Sequence, residues 1–531
     1  MFQYCVFIVL LNAQIGFSIE QESHDYALSQ VHMFPLLQLK EKAVGNLKKY
    51  TFSLQKRLSY IKLAISQVKC LQMSINSTSI FDKFKLTRLL YSDLEKWFDF
   101  LKQNPGSEEI LISQSLRPKM PTKMDYYEGL YAIHRLQSTY RLDPAEMANG
   151  LLGERKYRCK AWSAMECLMV GSVYYLDEQF RGAERWFQLA LEKYYKDRKL
   201  FETFGWNREF ILKLLIKASQ SSGRYKAALG YAKKADSNTY WQEQIGRLKN
   251  LSSQPEVLKP KERKNSYTFK PACRMVYPDK NNLHCRYLSS TPFLKLAPIQ
   301  MEELNLEPPI NMYHNLINER EISVLKNLSR PHLKRSEFIT EGNKVIQDFL
   351  NLRTCKTMRL QDNADEKLIK NLNQRITDST GLSVLESEEL VLTNYGIGGH
   401  LIEHHDAGTD LLNDFWNSGN RVITALFYLS DVLQGGETLF PYLDLRVHTR
   451  KGSLLVWYNL LLNGSIDWRV EHISCPILIG DKWLATKWLR EKPQMFIRRC
   501  PLELKPVPEF QNMGFYQKFF VENDQPYQFT L

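Results

Sequence analysis

The chain has no run of the ~18 apolar residues that a membrane-spanning helix needs, so a helical span is excluded. It also lacks a basic tract. Its 71 Lys and Arg against 58 Asp and Glu leave a net charge of +13. These residues are scattered through helical stretches with no nucleic-acid motif, which predicts a solvated basic surface rather than a polyanion site. Glycine and proline are almost missing between residues 30 and 105, which excludes a loop-rich fold there. The last residues, "QPYQFTL", contain no KDEL-like signal, so retention in the endoplasmic reticulum would have to come from a partner. The first residues lack a positively charged opening. They do hold an apolar run, Val6 to Leu11, followed by small and polar residues to Ser18. That pattern predicts a cleaved signal peptide over 1–18 and a mature chain in the lumen of the endoplasmic reticulum.

Nine cysteines become eight once Cys5 leaves with the signal, an even number suited to an oxidising compartment. Cys273 and Cys285 flank a polar segment, and Cys475 and Cys500 flank the end of the last domain, so both pairs are expected as disulfides. Cys70, Cys159, Cys167 and Cys355 suggest no pairing. Four N-x-S/T sequons, at Asn76, Asn250, Asn327 and Asn463, agree with a secretory route.

At 531 residues the chain exceeds a single core. Residues 19–120 carry apolar positions at helical spacing among Lys, Gln and Glu, which predicts long amphipathic helices. Their exposed apolar stripe would meet a second copy or fold back as an intramolecular hairpin. Residues 125–250 are helical again. In "CLMVGSVYYLDEQFRGAERWFQLALEKY", Gly171, Tyr174, Phe180, Ala183, Phe187 and Ala190 fall at tetratricopeptide spacing, and Tyr225 and Ala228 repeat the pattern. Two such units suit an extended peptide, or else form a helical spacer. Residues 251–309 turn rich in Pro, Lys and Ser and read as a linker. Short alternating runs follow over 310–500, among them "RVITALFYLSD" and "KGSLLVWYNL", which predict an all-β double sheet or barrel with a few helices before it. Residues 501–531 form a tail.

The stretch "YGIGGHLIEHHDAG" over 395–408 concentrates metal-ligating residues. His400 to His404 fits H-x-x-E-H, an inverted zinc-protease motif. His404 and Asp406 fit H-x-D, part of the triad that holds non-haem iron. The zinc motif needs a helix to bring both histidines to one face. Here glycines precede and follow the string, and "LVLTNY" before it is strand-like. On a strand, His404 and Asp406 point to the same side. His472, 66 residues further in "WRVEHISCP", supplies a third ligand in a β-rich context. Enzymes of this type hold 2-oxoglutarate, whose distal carboxylate needs a buried cation. Lys482, ten residues past His472 among Trp483, Leu484 and Trp488, is placed to provide it.

The blocks "NYGIGG", "HHD", "NRVITALFYLSDV", "GGETLFP", "KGSLLVWYNL" and "GDKWLATKWL", in that order over about 385–500, resemble the catalytic domain of the collagen prolyl 4-hydroxylase α subunit. The signal, the N-terminal helices, the tetratricopeptide-like segment and the two cysteine pairs extend the resemblance along the chain. It implies a C-terminal double-stranded β-helix (jelly roll) holding iron(II) through His404, Asp406 and His472. It also implies that Lys482, Tyr395 and Thr438 bind 2-oxoglutarate, with Trp488 lining the same pocket. Arg421 would lie near the peptide, and Tyr175 in the peptide groove. The implied reaction converts 2-oxoglutarate to succinate while hydroxylating proline at C4, with ascorbate rescuing oxidised iron. The implied assembly is an α2β2 heterotetramer, with the N-terminal helices dimerising the α subunits and protein disulfide isomerase as β subunit.

Some positions depart from the family pattern. Leu401 and Glu403 replace Tyr and Pro, His400 replaces a glutamine, and His405 replaces an aromatic residue. Alternation would leave Glu403 facing solvent, with His400 and His405 off the metal. Arg490 stands where the family has a histidine, and it cannot exchange protons near neutrality. In the peptide segment, Leu214, Lys217 and Gln220 occupy positions that are commonly tyrosine, which implies a more basic groove and a substrate with acidic residues near the proline. Three function classes follow: an active prolyl 4-hydroxylase subunit, a peptide-binding subunit with weak turnover, and a zinc hydrolase.

Overall fold

A computed structural model describes residues 25–74, 80–152, 157–235, 239–253, 269–277, 282–336, 352–361, 365–408 and 418–498. The signal segment, the tail, Asn76 and Cys500 lie outside the described residues. The chain divides into two units, residues 32–122 and the remainder.

The smaller unit is a helical hairpin, one of the two arrangements its apolar stripe allows. Helix α1 (Gln30–Ser74) runs 45 residues, with Pro35 in its opening turns and Gly45 its lone glycine. Helices α2 (Ile80–Arg88), α3 (Leu94–Lys102) and α4 (Ser107–Leu116) follow. Arg57 on α1 donates to the carbonyls of Phe100 and Leu101 at 3.0 and 2.9 Å, satisfying the unpaired end of α3. Asn46 bonds Ser113 on α4 at 2.8 Å. Phe52, Phe84, Tyr91 and Phe98 stay exposed.

In the larger unit, helix α5 (Lys123–Tyr140) precedes a layer of helices, α6 (Ala164–Leu176), α7 (Phe180–Thr203), α8 (Arg208–Ser221), α9 (Tyr225–Ala232) and α10 (Thr239–Ser252). Each of these packs on the next. A capping box starts α6, with Ser163 N–H donating to Glu166 at 2.6 Å. Gly171 is needed where α6 meets α7, because a Cβ there would lie 2.7 Å from the Phe187 ring. Ala183, Phe187, Ala190 and Ala228 are fully buried, as their spacing predicts. Leu214 is buried in the same core. Lys217 and Gln220 stay on the partly exposed stripe of α8.

The C-terminal part is antiparallel β structure, beginning earlier than the composition suggests. Strands β1 (Cys285–Leu288) and β2 (Ile299–Asn305) fall inside the expected linker and pair with each other, and β2 pairs with β3 (Ile310–His314). The sheet continues through β4 (Lys334–Arg335), β5 (Cys355–Leu360), β6 (Leu390–Tyr395), β8 (Arg421–Tyr428), β12 (Leu454–Tyr458) and β15 (Trp483–Arg490). Among the described residues its nine strands run in the order β1-β2-β3-β12-β8-β15-β6-β5-β4. A four-stranded sheet of β7 (Leu401–His404), β10 (Thr438–Phe440), β11 (Leu445–Val447) and β13 (His472–Ser474) runs β11-β10-β13-β7. A pair, β9 (Val432–Gly435) and β14 (Ile477–Gly480), joins the ends.

Alternation along β8 assigns its two faces. Ile423, Ala425 and Phe427 pack under helices α11 (Glu319–Ser329) and α12 (Glu366–Thr380) with Leu325, Leu372 and Ile376. Leu426 and Tyr428 face the smaller sheet and meet Phe440, Trp457 and Val470. The two sheets thus enclose an apolar layer, and burying each large side chain in it contributes roughly 1.5–3 kcal/mol.

The disulfide differs from both expected pairs. Cys273 bonds Cys475 across 202 residues of sequence. Cys285 is an exposed free thiol on β1, an edge strand, and Cys475 is already engaged. Cys273 joins Leu439, Ile473 and Cys475 in a small cluster on the smaller sheet, so the bond seals a packed face. The sequons at Asn250, Asn327 and Asn463 are all exposed.

Candidate metal centre

Strands β7 and β13 pair with His404 opposite His472, which brings two histidines together from positions far apart in sequence. Their rings lie 4.2 Å apart between centroids. Asp406 follows two residues after His404, past the end of β7, with its Oδ1 3.7 Å from His404 Nε2 and its Oδ2 3.9 Å from His472 Nε2. The three ligand atoms all lie within 4.8 Å of one another. Residues 401–404 form a strand, so His400 and His404 share no helical face, and neither His400 nor Glu403 joins the cluster. The zinc-hydrolase reading fails on that geometry.

Each ligand is oriented from behind. His404 Nδ1–H donates to the Ile402 carbonyl at 2.9 Å, and His472 Nδ1–H to the Val470 carbonyl at 3.3 Å. Those bonds fix the tautomer and turn both Nε2 lone pairs inward, the usual arrangement around a metal-bound imidazole. Burial, with the neighbouring His404, holds the His472 imidazolium down at about 3, and burial also lowers His404. Burial opposes ionisation of Asp406, but His472, His404 and Arg421 outweigh it and keep the carboxyl far below the usual range. Thr424 donates to Asp406 Oδ2 at 2.6 Å and accepts from Asn459 at 3.0 Å. Two neutral imidazoles and one ionised carboxylate form the donor set of a non-haem iron(II) centre with open positions, so the residues fit that ion.

Lys482 is fully buried between the sheets. Its ammonium donates to Ser474 at 2.7 Å and lies 5.1 Å over the Tyr395 ring. Among the described residues no carboxylate lies at ion-pair distance, and burial pulls its pKa down to about 7. Thr438 pairs across the strands with Ser474 and bonds Tyr428 at 2.8 Å. Lys482, Tyr395, Thr438, Ser474 and Tyr428 thus form a polar patch that reaches to two residues from His472. A dianionic acid with one carboxylate at Lys482 would compensate a charge that is otherwise costly to bury. Trp488 lies at the other end of β15, 4.1 Å under the Arg421 guanidinium.

His405 is buried, with Nε2–H donating to Asp467 O at 3.0 Å and Nδ1 accepting from Ala407 N–H at 3.0 Å, so both nitrogens are used away from the ligands. His400 is buried 3.2 Å from Thr354 Oγ. Glu403 is partly buried rather than solvated. Burial and the nearby Glu403 carboxylate raise Glu471 to about 7. Tyr175 remains in the helical layer against Phe180, 5.3 Å between centroids. Three residues escape the sequence reading. Arg353 donates to Cys355 at 2.9 Å, and its field reaches Tyr395 and Asp406. Nothing in its spacing announces this. Ser474 could have been found by alternation from His472, and Thr424 only from the fold.

Helix α5 supports the ligand strands. Arg135 donates to Gly398 O at 3.1 Å, in the turn before β7, and Gly398 itself has a φ of 53° that favours glycine. Tyr140 donates to Pro476 O just after β13, and Arg274, next to the disulfide, donates to Ser138 O at 3.0 Å.

Comparison with known proteins agrees with this geometry. Residues 29–154 match the N-terminal region of the prolyl 4-hydroxylase α subunit, and residues 390–490 match the 2OG-Fe(II) oxygenase superfamily. Prolyl 4-hydroxylase subunit alpha-2 of Caenorhabditis elegans is 34% identical over 409 residues, covering 72% of this chain and 74% of its own. Subunit alpha-1 of Homo sapiens is 30% identical over 455 residues, covering 79% and 84%. A viral collagen prolyl hydroxylase from Paramecium bursaria Chlorella virus-1, solved with 2-oxoglutarate, aligns over 34% of this chain and 95% of its own at 19% identity, with a TM-score of 0.28. A helical N-terminal region, an antiparallel β domain, the two family matches and the two α-subunit relatives together place the chain in the prolyl 4-hydroxylase α-subunit family, as an iron(II)- and 2-oxoglutarate-dependent dioxygenase.

Proposed function

We propose that the chain hydroxylates peptidyl proline at C4 in secreted or collagen-like polypeptides. The observation that carries this reading is the convergence of His404, Asp406 and His472 beside a buried Lys482. Iron(II) bound there would supply the oxidising chemistry, with one oxygen atom passing into succinate as 2-oxoglutarate loses carbon dioxide and the other becoming the proline hydroxyl.

The chain's own residues do the rest. His404, Asp406 and His472 hold the ion, and the Nδ1 bonds keep both imidazoles in the ligating tautomer. Lys482 takes the distal carboxylate of 2-oxoglutarate, with Tyr395 and Thr438 as hydrogen-bond partners. Phe440, Trp457 and Val470 wall the ligand strand and exclude water, which strengthens the electrostatics inside. Arg421 borders the peptide side, next to the Asp406 main chain.

The same reading assigns a jelly-roll topology to the paired sheets and a tetratricopeptide-like, peptide-holding role to α6–α10, including Tyr175. It assigns dimerisation to the exposed apolar residues of residues 32–122 and protein disulfide isomerase as β subunit of an α2β2 assembly in the endoplasmic reticulum lumen. Ascorbate serves to return oxidised iron to iron(II).

The test is succinate formation by the chain co-expressed with protein disulfide isomerase. It would be supplied with iron(II), ascorbate and 2-oxoglutarate, together with a Pro-Pro-Gly peptide or a library of proline-containing secreted sequences. Peptide-dependent succinate with 4-hydroxyproline in the product is expected. Binding of iron and 2-oxoglutarate without turnover on any peptide would refute the enzymatic reading.

A further inference from the structure

Arg421 and Arg490 are direct cross-strand partners where β8 meets β15, next to a bulge between Arg421 and Ile423. Two cations placed opposite each other on a sheet repel, and bulges often re-aim a side chain. Glu388 resolves the repulsion. Its carboxylate accepts from Arg421 Nη2 at 2.8 Å and from Arg490 Nη2 at 2.7 Å, with Arg359 3.6 Å away. The Glu388 side chain is 8% exposed and that of Arg490 4%.

This triad leads to the metal ligands. Arg421 Nη1 donates to the main-chain carbonyl of Asp406 at 3.1 Å, and the guanidinium is pinned on the Trp488 ring. Next to Arg421, Asn420 accepts from Gly408 N–H at 3.1 Å and donates to Gly408 O at 2.9 Å. The 406–408 turn is therefore clamped to the start of β8. Arg490 holds that start from the other side, its Nη1 donating to Gly419 O at 3.1 Å. Glu491 helps, its main-chain N–H donating to Asn420 O at 2.9 Å.

We propose that Arg490 is a positioning residue for the metal centre. Through Glu388 and Arg421 it fixes the Asp406 main chain, while Thr424 fixes the Asp406 carboxylate, so that the ligand meets His404 and His472 in one direction. Arg490 acts through Glu388 and Arg421, and a guanidinium moves no proton near neutrality. The inference rests on the reading of His404, Asp406 and His472 as a metal site.

The test is a cobalt(II) titration, followed by visible absorption, of the full chain co-expressed with protein disulfide isomerase. Wild type would be compared with Arg490→Gln, Arg421→Gln and the double variant. Changing a residue that orients a ligand costs about 10–100-fold in metal affinity, so each single variant is expected to bind cobalt(II) at least about tenfold more weakly. Because both act along one path, the double variant should match Arg421→Gln within about twofold, whereas independent effects would multiply. Arg490→Lys keeps the charge with one donor group and should fall between wild type and Arg490→Gln. If Arg490→Gln does not fold by circular dichroism, Arg490→Lys replaces it throughout the cycle. A lowered melting temperature with unchanged cobalt(II) affinity, or multiplicative losses in the double variant, would overturn the positioning role. If wild type itself binds no cobalt(II), the metal-site reading fails instead.

Discussion

Replacing Lys482 by Met should make the ligand-free chain more stable and unable to hold its co-substrate. Burial brings the lysine pKa from 10.5 to about 7. At about 1.4 kcal/mol per pKa unit, charging it in place costs about 5 kcal/mol relative to the unfolded chain. Methionine has a similar length and no charge. It forfeits the bond to Ser474, worth about 1 kcal/mol, for a net gain of up to about 4 kcal/mol at pH 7. The folded pKa lies below the unfolded one, so the unfolded chain holds more protons between about pH 7 and 10.5. Wild-type stability should therefore rise with pH across that window and stay at its low plateau below it, while the Met variant should be flat. Urea denaturation at pH 6.5, 8 and 9, followed by fluorescence, would show the difference shrinking as pH rises. Titration with 2-oxoglutarate should then stabilise wild type and draw a proton onto the lysine, seen by calorimetry in buffers of different ionisation enthalpy. The variant should show neither effect. A variant less stable than wild type at pH 7, or wild-type stability that does not change between pH 7 and 9, would refute the reasoning.

Three further outcomes are expected. Glu388→Gln leaves Arg421 and Arg490 without their shared carboxylate, and breaking a buried pair costs about 3–5 kcal/mol, measurable by thermal denaturation. Burial opposes ionisation of Glu388, yet Arg421, Arg490 and Arg359 hold its pKa below the usual range. Its contribution should thus be present above about pH 4.5 and vanish as pH falls through the lowered value, and a variant with wild-type acid stability would contradict it. Cys273→Ser opens a loop of 202 residues and should cost about 2–5 kcal/mol, whereas Cys285→Ser should be neutral; non-reducing peptide mapping that joins Cys273 to Cys285 would decide against this pairing. His472→Ala should abolish 2-oxoglutarate decarboxylation and weaken cobalt(II) binding while keeping the fold, and retained turnover would remove it from the centre.

Local pattern alone determined a good deal of this protein. The H-x-D string kept His404 and Asp406 close, although Asp406 lies past the end of β7. The offset of Lys482 from His472 marked it as a buried cation, and the small residues of α6 and α7 marked a close helix pair. These readings depend on residues close along the chain, where period and propensity act directly. The tertiary structure decided the rest. His472, a candidate from the sequence, met His404 only through the pairing of β13 with β7. Leu214 is buried in the helical core, Glu403 turned out partly buried near Glu471, and β1 and β2 emerged from a Pro- and Lys-rich stretch because β3 offered them an edge. Cys475 joined Cys273 instead of Cys500 because a packed face brought their sulfurs together. Glu388, ahead of β6, came to lie between arginines from two different strands. Each of these outcomes depends on which distant segments are brought into register, and the free energy that selects them comes from packing and charge pairing between residues that carry no signal of each other along the chain.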